Sequence, residues 1–158
     1  EVRKRKNIVF DIPGIRFSNH MPIGAGIDWD LSPKDIEMLI NSLYHCDVLV
    51  SYASSLCIDA SIFNKPVINI NFELTESLSV YRSPTELYKM THYLNALKTG
   101  AIKLVSNKEE MTNWINKYLE NPAIDENARA MLVKEQCSVL DGRAGERTAN
   151  FILFSINS

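Results

Sequence analysis

Residues 47–73 read DVLVSYASSLCIDASIFNKPVININFE, and their order decides the fold. Residues 47–52 (DVLVSY) form a short apolar run with β-branched Val48 and Val50, bounded by a charge and then by small residues. This is the pattern of a strand buried on both faces. Ser54 and Ser55 follow, then LCIDASIFN with helical character, which Lys65–Pro66 closes. VININF is a second apolar, β-branched run. Strand, crossover helix and strand in so few residues imply a right-handed unit whose two strands are parallel. Ligands of open parallel sheets bind beyond the carboxyl ends of the strands. Here that end carries Ser51, Ser54 and Ser55 at the start of a helix, where free N–H groups and the helix dipole favour an anion. A phosphate-like group is expected at Ser54–Ser55.

Upstream of this unit, Ser32–Pro33 opens a helix, with serine as N-cap and proline at the first helical position. Ile36, Leu39, Ile40 and Leu43 make its apolar face, and it runs to about His45, a surface or capping residue. Residues 14–31 read as a connector. Its GAG at 24–26 lacks the third glycine of a dinucleotide fingerprint and does not follow a strand directly. His20 and Trp29 lie in this connector, and an aromatic there suits base stacking and loop anchoring equally. Residues 7–12 (NIVFDI) are a further expected strand, closed by Pro13–Gly14.

Downstream, residues 74–84 are polar and irregular, include Arg82, and follow the carboxyl end of a strand. A helix is expected over about 85–97, with Tyr88, His92 and Tyr93 on it and Gly100 as its C′ residue. AIKLV (101–105) is the next strand. Ser106 and Glu109 form a capping box for a helix whose Met111, Trp114, Ile115, Tyr118 and Leu119 are core packing. Asn121–Pro122 ends it. Two more helices are expected, over about 125–137 and from the DGRAGER stretch at 141–147 onward. The whole reads as three-layer, Rossmann-like α/β, with four or so parallel strands and helices on both faces.

At 158 residues and 46% hydrophobic, the chain is one domain with material for a sizeable core. A net charge of −2 argues against a chain built for nucleic acid or an anionic membrane. No apolar run approaches the roughly 20 residues of a membrane span, and no secretion signal is visible, so the expected compartment is cytoplasmic, either free or at the inner face of the membrane through a part of the protein outside this chain. Cys46, Cys57 and Cys137 are odd in number and scattered, and read as buried reduced thiols. No metal-ligand spacing is present, so neither a metal nor a cofactor is expected. The chain starts at Glu1 and runs almost directly into NIVFDI. A carboxyl-terminal fragment of a longer two-domain enzyme is the expectation.

The residues of the central unit also carry a resemblance. Asp47-Val48-Leu49-Val50-Ser51, the Ser54–Ser55 pair, the acidic Asp59 and Lys65-Pro66-Val67-Ile68 stand in an order similar to the donor-binding, carboxyl-terminal half of GT-B glycosyltransferases. Asp141-Gly142-Arg143-Ala144 with Arg147 resembles the tail of the CDP-glycerol glycerophosphotransferase-like branch and of bacterial surface-polysaccharide transferases. Between them, His92–Tyr93, GAIKLV at 100–105 and YLENP at 118–122 keep the same order of elements. The likeness covers about residues 40–156.

The resemblance implies a domain that binds a nucleotide-diphosphate sugar for surface polysaccharide synthesis, without a metal. Ser54 and Ser55 would hold the diphosphate or the nearby sugar. Asp59 would meet the ribose hydroxyls or, equally, serve the helix dipole. Arg82 and His92 would neutralise the leaving diphosphate. Arg143 and Arg147 are expected in ion pairs with neighbouring acids. The amino-terminal half of such an enzyme would supply the acceptor site and often the general base, so this chain alone is expected to bind donor and turn nothing over. A CDP-glycerol or polyol phosphotransferase and a UDP-N-acetylglucosamine 2-epimerase are the enzyme alternatives. A non-catalytic α/β module that pairs with a catalytic partner is the alternative from another class.

Overall fold

A computed structural model describes residues 5–9, 11, 14–16, 29–73 and 83–156. The chain divides into two compact units, Glu1–His45 and Cys46–Ser158. In the first, β1 (Ile15–Arg16) pairs antiparallel with β2 (Trp29–Asp30), a short ladder that the sequence reading treats as connector. Helix α1 (Pro33–His45) starts where expected. The Ser32 hydroxyl accepts from the Asp35 amide, and the Asp35 carboxylate takes both the amide and the hydroxyl of Ser32, which closes the first turn reciprocally. The strand expected at 7–12 is not formed by its described residues: Ile8 donates back to Arg5 in a turn, and Val9 is 92% exposed. An apolar run becomes a strand only with a neighbour to pair with, and this one has none among the described residues.

The second unit is built on a three-stranded parallel sheet in the order β3 (Leu49–Ser51), β4 (Val67–Ile70), β5 (Ile102–Val105). Leu49 stands beside Val67 and Val67 beside Ile102. Three strands, not four, are described. Central β4 has Val67, Ile68 and Asn69 fully buried, as a strand covered on both faces must. β3 departs from expectation: Val50 is 38% exposed, because β3 lies at an edge of the described sheet and not at its centre.

The two faces of β4 carry different layers. Ile68, with Val105 of β5, packs on Met111, Trp114, Ile115 and Tyr118 of α5 (Lys108–Glu120). Trp114 is flanked by Lys103 Nζ at 4.7 Å and Lys117 Nζ at 4.5 Å from its ring centre, two cations facing one π system. The opposite face meets α2 (Leu56–Ile62) and α4 (Thr91–Lys98), and α6 (Glu126–Cys137) packs on α2. The result is the expected three-layer, Rossmann-like arrangement.

Local signals explain most boundaries, and two are corrected. Helix α2 ends at Ile62, three residues before Lys65: Asn64 takes the left-handed conformation (φ 55°), while the Lys65 and Asn64 amides return to the Ala60 and Ser61 carbonyls. Gly100 (φ 77°) closes α4 as expected. The box expected at Ser106–Glu109 is shifted by one residue. Asn107 caps α5 by accepting from the Glu110 amide at 2.8 Å, and Glu110 reaches back to the Ser106 amide at 2.9 Å. The single helix expected over 85–97 is two, α3 (Pro84–Leu87) and α4, separated by extended Met90. In one continuous helix Tyr88 and Tyr93 would point about 140° apart. The break lets both bury, their rings edge to face at 5.3 Å, with the Tyr88 hydroxyl donating to the Ile70 carbonyl.

Arg129, in the middle of α6, is wholly buried. Its guanidinium donates to the carbonyls of Ile124 (2.6 Å) and Pro122 (2.7 Å) and to Asn64 Oδ1 (2.8 Å), while Asn64 Nδ2 donates to Glu126 at 2.8 Å. One side chain thereby ties the α5–α6 turn to the exit of α2. Asp125, at the start of α6, joins the Lys103 ammonium (3.0 Å) and the Tyr118 hydroxyl (2.8 Å) beside it. Helix α7 (Ala144–Ile156) ends the described chain with no buried side chain; Arg143 pairs with Glu146 and Arg147 with Asp141, as expected. Arg129→Ala strands two carbonyls and Asn64 in the interior, and is expected to cost about 3 kcal/mol in denaturant unfolding. Arg129→Lys should lose more than half as much, because one ammonium cannot span the same three acceptors. A cost below 1 kcal/mol for both would remove Arg129 from the packing account.

Candidate functional site

The serine turn forms where β3 ends. Ser51 closes the strand, and residues 52–55 carry the chain over to α2. Behind the turn lies a cavity of about 140 Å³, enclosed by α2, α4, the start of β5 and the last turn of α6. Ser54 and Ser55 stand on one side of it and His92 of α4 on another; Gln136 of α6 completes the rim. Cys57, Ile58, Ala96 and Ile102 form the apolar wall, with Tyr93 between wall and rim.

Of the six expected site residues, three therefore meet at one cavity: Ser54, Ser55 and His92. Ser51 and Asp59 lie close in sequence but do not line it, and Arg82 falls outside the described residues. The other six lining residues are not site residues in the sequence reading; among them Cys57, Tyr93 and Gln136 carry polar groups. The His92–Tyr93 pair was a visible signal for Tyr93. Gln136 had none, because only the packing of α6 on α2 brings it there.

The amides of the first turn are not free. Leu56 donates to Ser54 Oγ (3.2 Å), Cys57 to the Ser54 carbonyl (3.2 Å), and Ile58 and Asp59 to the Ser55 carbonyl (2.9 and 3.3 Å). What the turn offers a ligand is hydroxyl: Ser54 Oγ accepts one bond and keeps its own proton, and the exposed Ser55 side chain makes no capping bond.

Below the rim the groups are polar but buried. The Cys57 thiol donates to Asn69 Oδ1 at 3.2 Å, lies 4.0 Å from the Tyr93 hydroxyl, and is pushed up in pKa by burial. Tyr93 donates to the Ser54 carbonyl at 2.8 Å and so fixes the serine turn to α4; burial, reinforced by Cys57, pushes its hydroxyl up as well. Both groups stay neutral and act as fixed hydrogen-bonding walls. Asn69 Nδ2, fully buried on β4, makes no close hydrogen bond among the described residues, though Asn69 also acts on the Tyr93 hydroxyl.

Asp59 is partly buried on α2, and neither a hydrogen bond nor an ion pair holds its carboxylate among the described residues. Desolvation raises its pKa above the usual 3.8. A carboxyl with a raised native pKa binds its proton more tightly folded than unfolded, so it withdraws stability as pH rises from 3.8 through the native value. Asp59→Asn is expected to melt at a higher temperature than the parent at pH 7, with the gap closing as pH falls toward 4. A gap that is constant with pH would show that the carboxylate carries no such penalty.

Residues 30–154, from the second residue of β2 almost to the end of α7, match the family model described as CDP-Glycerol:Poly(glycerophosphate) glycerophosphotransferase. No curated protein and no solved structure matches the chain. The matched span holds the whole parallel sheet, the serine turn and every residue around the cavity. The chain belongs to the CDP-glycerol:poly(glycerophosphate) glycerophosphotransferase family.

Proposed function

We propose that the chain is the donor-binding part of a transferase whose donor is a CDP-linked alcohol, and that Ser54, Ser55 and His92 receive the donor's phosphates. The observation that carries this reading is the meeting of those three residues at one cavity in a chain of this family. The serine hydroxyls donate to phosphate oxygens, and His92, exposed at the rim, makes no hydrogen bond among the described residues and is open to a leaving phosphate. Ser51 and Asp59 border the turn, where Asp59 suits a ribose hydroxyl. Arg82 belongs to the same reading as a cation.

With a CDP-alcohol, the acceptor hydroxyl attacks the phosphorus that bears the alcohol. The new P–O bond forms as the bond to the other phosphate breaks, and CMP leaves with the negative charge. The hydroxyls of the turn and His92 act on that developing charge, which is where preorganised donors lower a barrier. The proton of the acceptor hydroxyl goes to a base that these residues do not provide. We place that base, and the acceptor site, in an amino-terminal half of the GT-B kind. The same site with a nucleotide-diphosphate sugar would serve a glycosyltransferase of surface polysaccharide synthesis. The two readings differ in the base they demand of the nucleotide.

A thermal-shift screen against CDP, UDP, GDP, ADP and inorganic phosphate separates them. At a hundredfold excess over Kd, CDP is expected to raise the melting temperature by about 5 °C or more. Ser55→Ala and His92→Ala should each weaken binding about tenfold, the worth of one charge-assisted hydrogen bond. Stabilisation by UDP alone would transfer the site to the nucleotide-sugar reading. Silence from every nucleotide would remove the donor reading.

A further inference from the structure

We propose that the cavity behind the serine turn receives the single pyrimidine ring of the donor's base, read by Gln136, while the phosphates stay at its rim. This rests on the donor reading above and assigns its parts. Size comes first. An apolar cavity of about 150 Å³ accepts benzene, so about 140 Å³ suits one six-membered ring better than the fused rings of a purine.

Chemistry comes second. Cys57, Ile58, Ala96 and Ile102 make the wall, no lysine or arginine lines it, and the amides of residues 56–59 are already bonded. A phosphate pushed inside would shed its water against hydrocarbon with no opposite charge to meet it, a large cost. A neutral ring with polar edges avoids that cost.

The polar groups match a ring edge. Gln136 sits on the rim, exposed and with no hydrogen bond among the described residues, and its amide offers one acceptor and a donor pair. Asn69, beyond the wall, does not line the cavity; its Oδ1 holds the Cys57 thiol in place.

The test is calorimetric binding of cytidine, uridine, adenosine, CDP and inorganic pyrophosphate to the full chain. Cytidine and uridine should bind, and adenosine at least tenfold more weakly. Gln136→Glu, at an exposed position, leaves only acceptors facing the ring. It should raise the cytidine-to-uridine affinity ratio about tenfold, since cytosine presents an amino donor where uracil presents a carbonyl. Ala96→Leu fills the cavity and should weaken cytidine and CDP tenfold or more without weakening pyrophosphate. Ile58→Ala, which enlarges the cavity and tolerates folding better, should narrow the gap between adenosine and cytidine. Adenosine binding as well as cytidine, or an Ala96→Leu variant that weakens pyrophosphate as much as cytidine, overturns the proposal. If CDP binds and neither Gln136→Glu nor Ala96→Leu alters it, the ring assignment falls and the donor reading stands. If no nucleotide binds at all, both fall together.

Discussion

The Arg129 guanidinium is a full positive charge inside the protein with no carboxylate on it. Its hydrogen bonds all go to neutral oxygens, two carbonyls of the α5–α6 turn and the amide of Asn64. Burial lowers its pKa, and the nearby Tyr118, Asp125 and Glu126 act in the opposite direction. Such a group is costly to bury and more costly to leave unpaired, so the geometry around it is nearly fixed. It sets where α6 begins relative to the end of α2. Because α6 then packs along α2, the same constraint sets where its last turn stands, with Gln136 at the cavity. The distal pairing of an arginine and an asparagine thus determines what faces a ligand.

Tyr93 plays the corresponding part on the other side. Its hydroxyl holds the Ser54 carbonyl, its ring packs on Tyr88, and its edge lines the cavity. The break at Met90 is what permits this, since a regular helix could bury only one of the two tyrosines. Irregular backbone here follows from a packing demand. The chain accepts three non-helical residues, 88–90, so that both tyrosines are buried.

Much of this was legible in the sequence. The β3–α2–β4 unit, the strand at 102–105, the helix ended by Gly100 and the paired arginines near the carboxyl end all follow from local patterns: β-branched runs, a positive-φ glycine, charges spaced for helix neighbours. Where neighbours in space decide, the sequence was silent or misleading. NIVFDI has the composition of a strand but no pairing partner among the described residues. Arg129 has the composition of a solvated helix face and is buried. The cap of α5 fell one residue late because serine and asparagine both cap well, and only the path out of β5 chooses between them. Ser54, Ser55 and His92 came from pattern and resemblance; Cys57, Asn69 and Gln136 needed the third dimension.

Helix α7 has a thermodynamic consequence. An isolated helix of its length is marginal in water, and most proteins hold such helices by burying one face. Here Phe151, Ile152, Phe154 and Ile156 are all more than half exposed, so burial adds little to its stability. β4, with three consecutive residues at zero exposure, belongs to the opposite extreme. The chain should therefore open in stages, its carboxyl-terminal helix exchanging amide protons by local fraying while the centre of the sheet exchanges only when the whole unit unfolds.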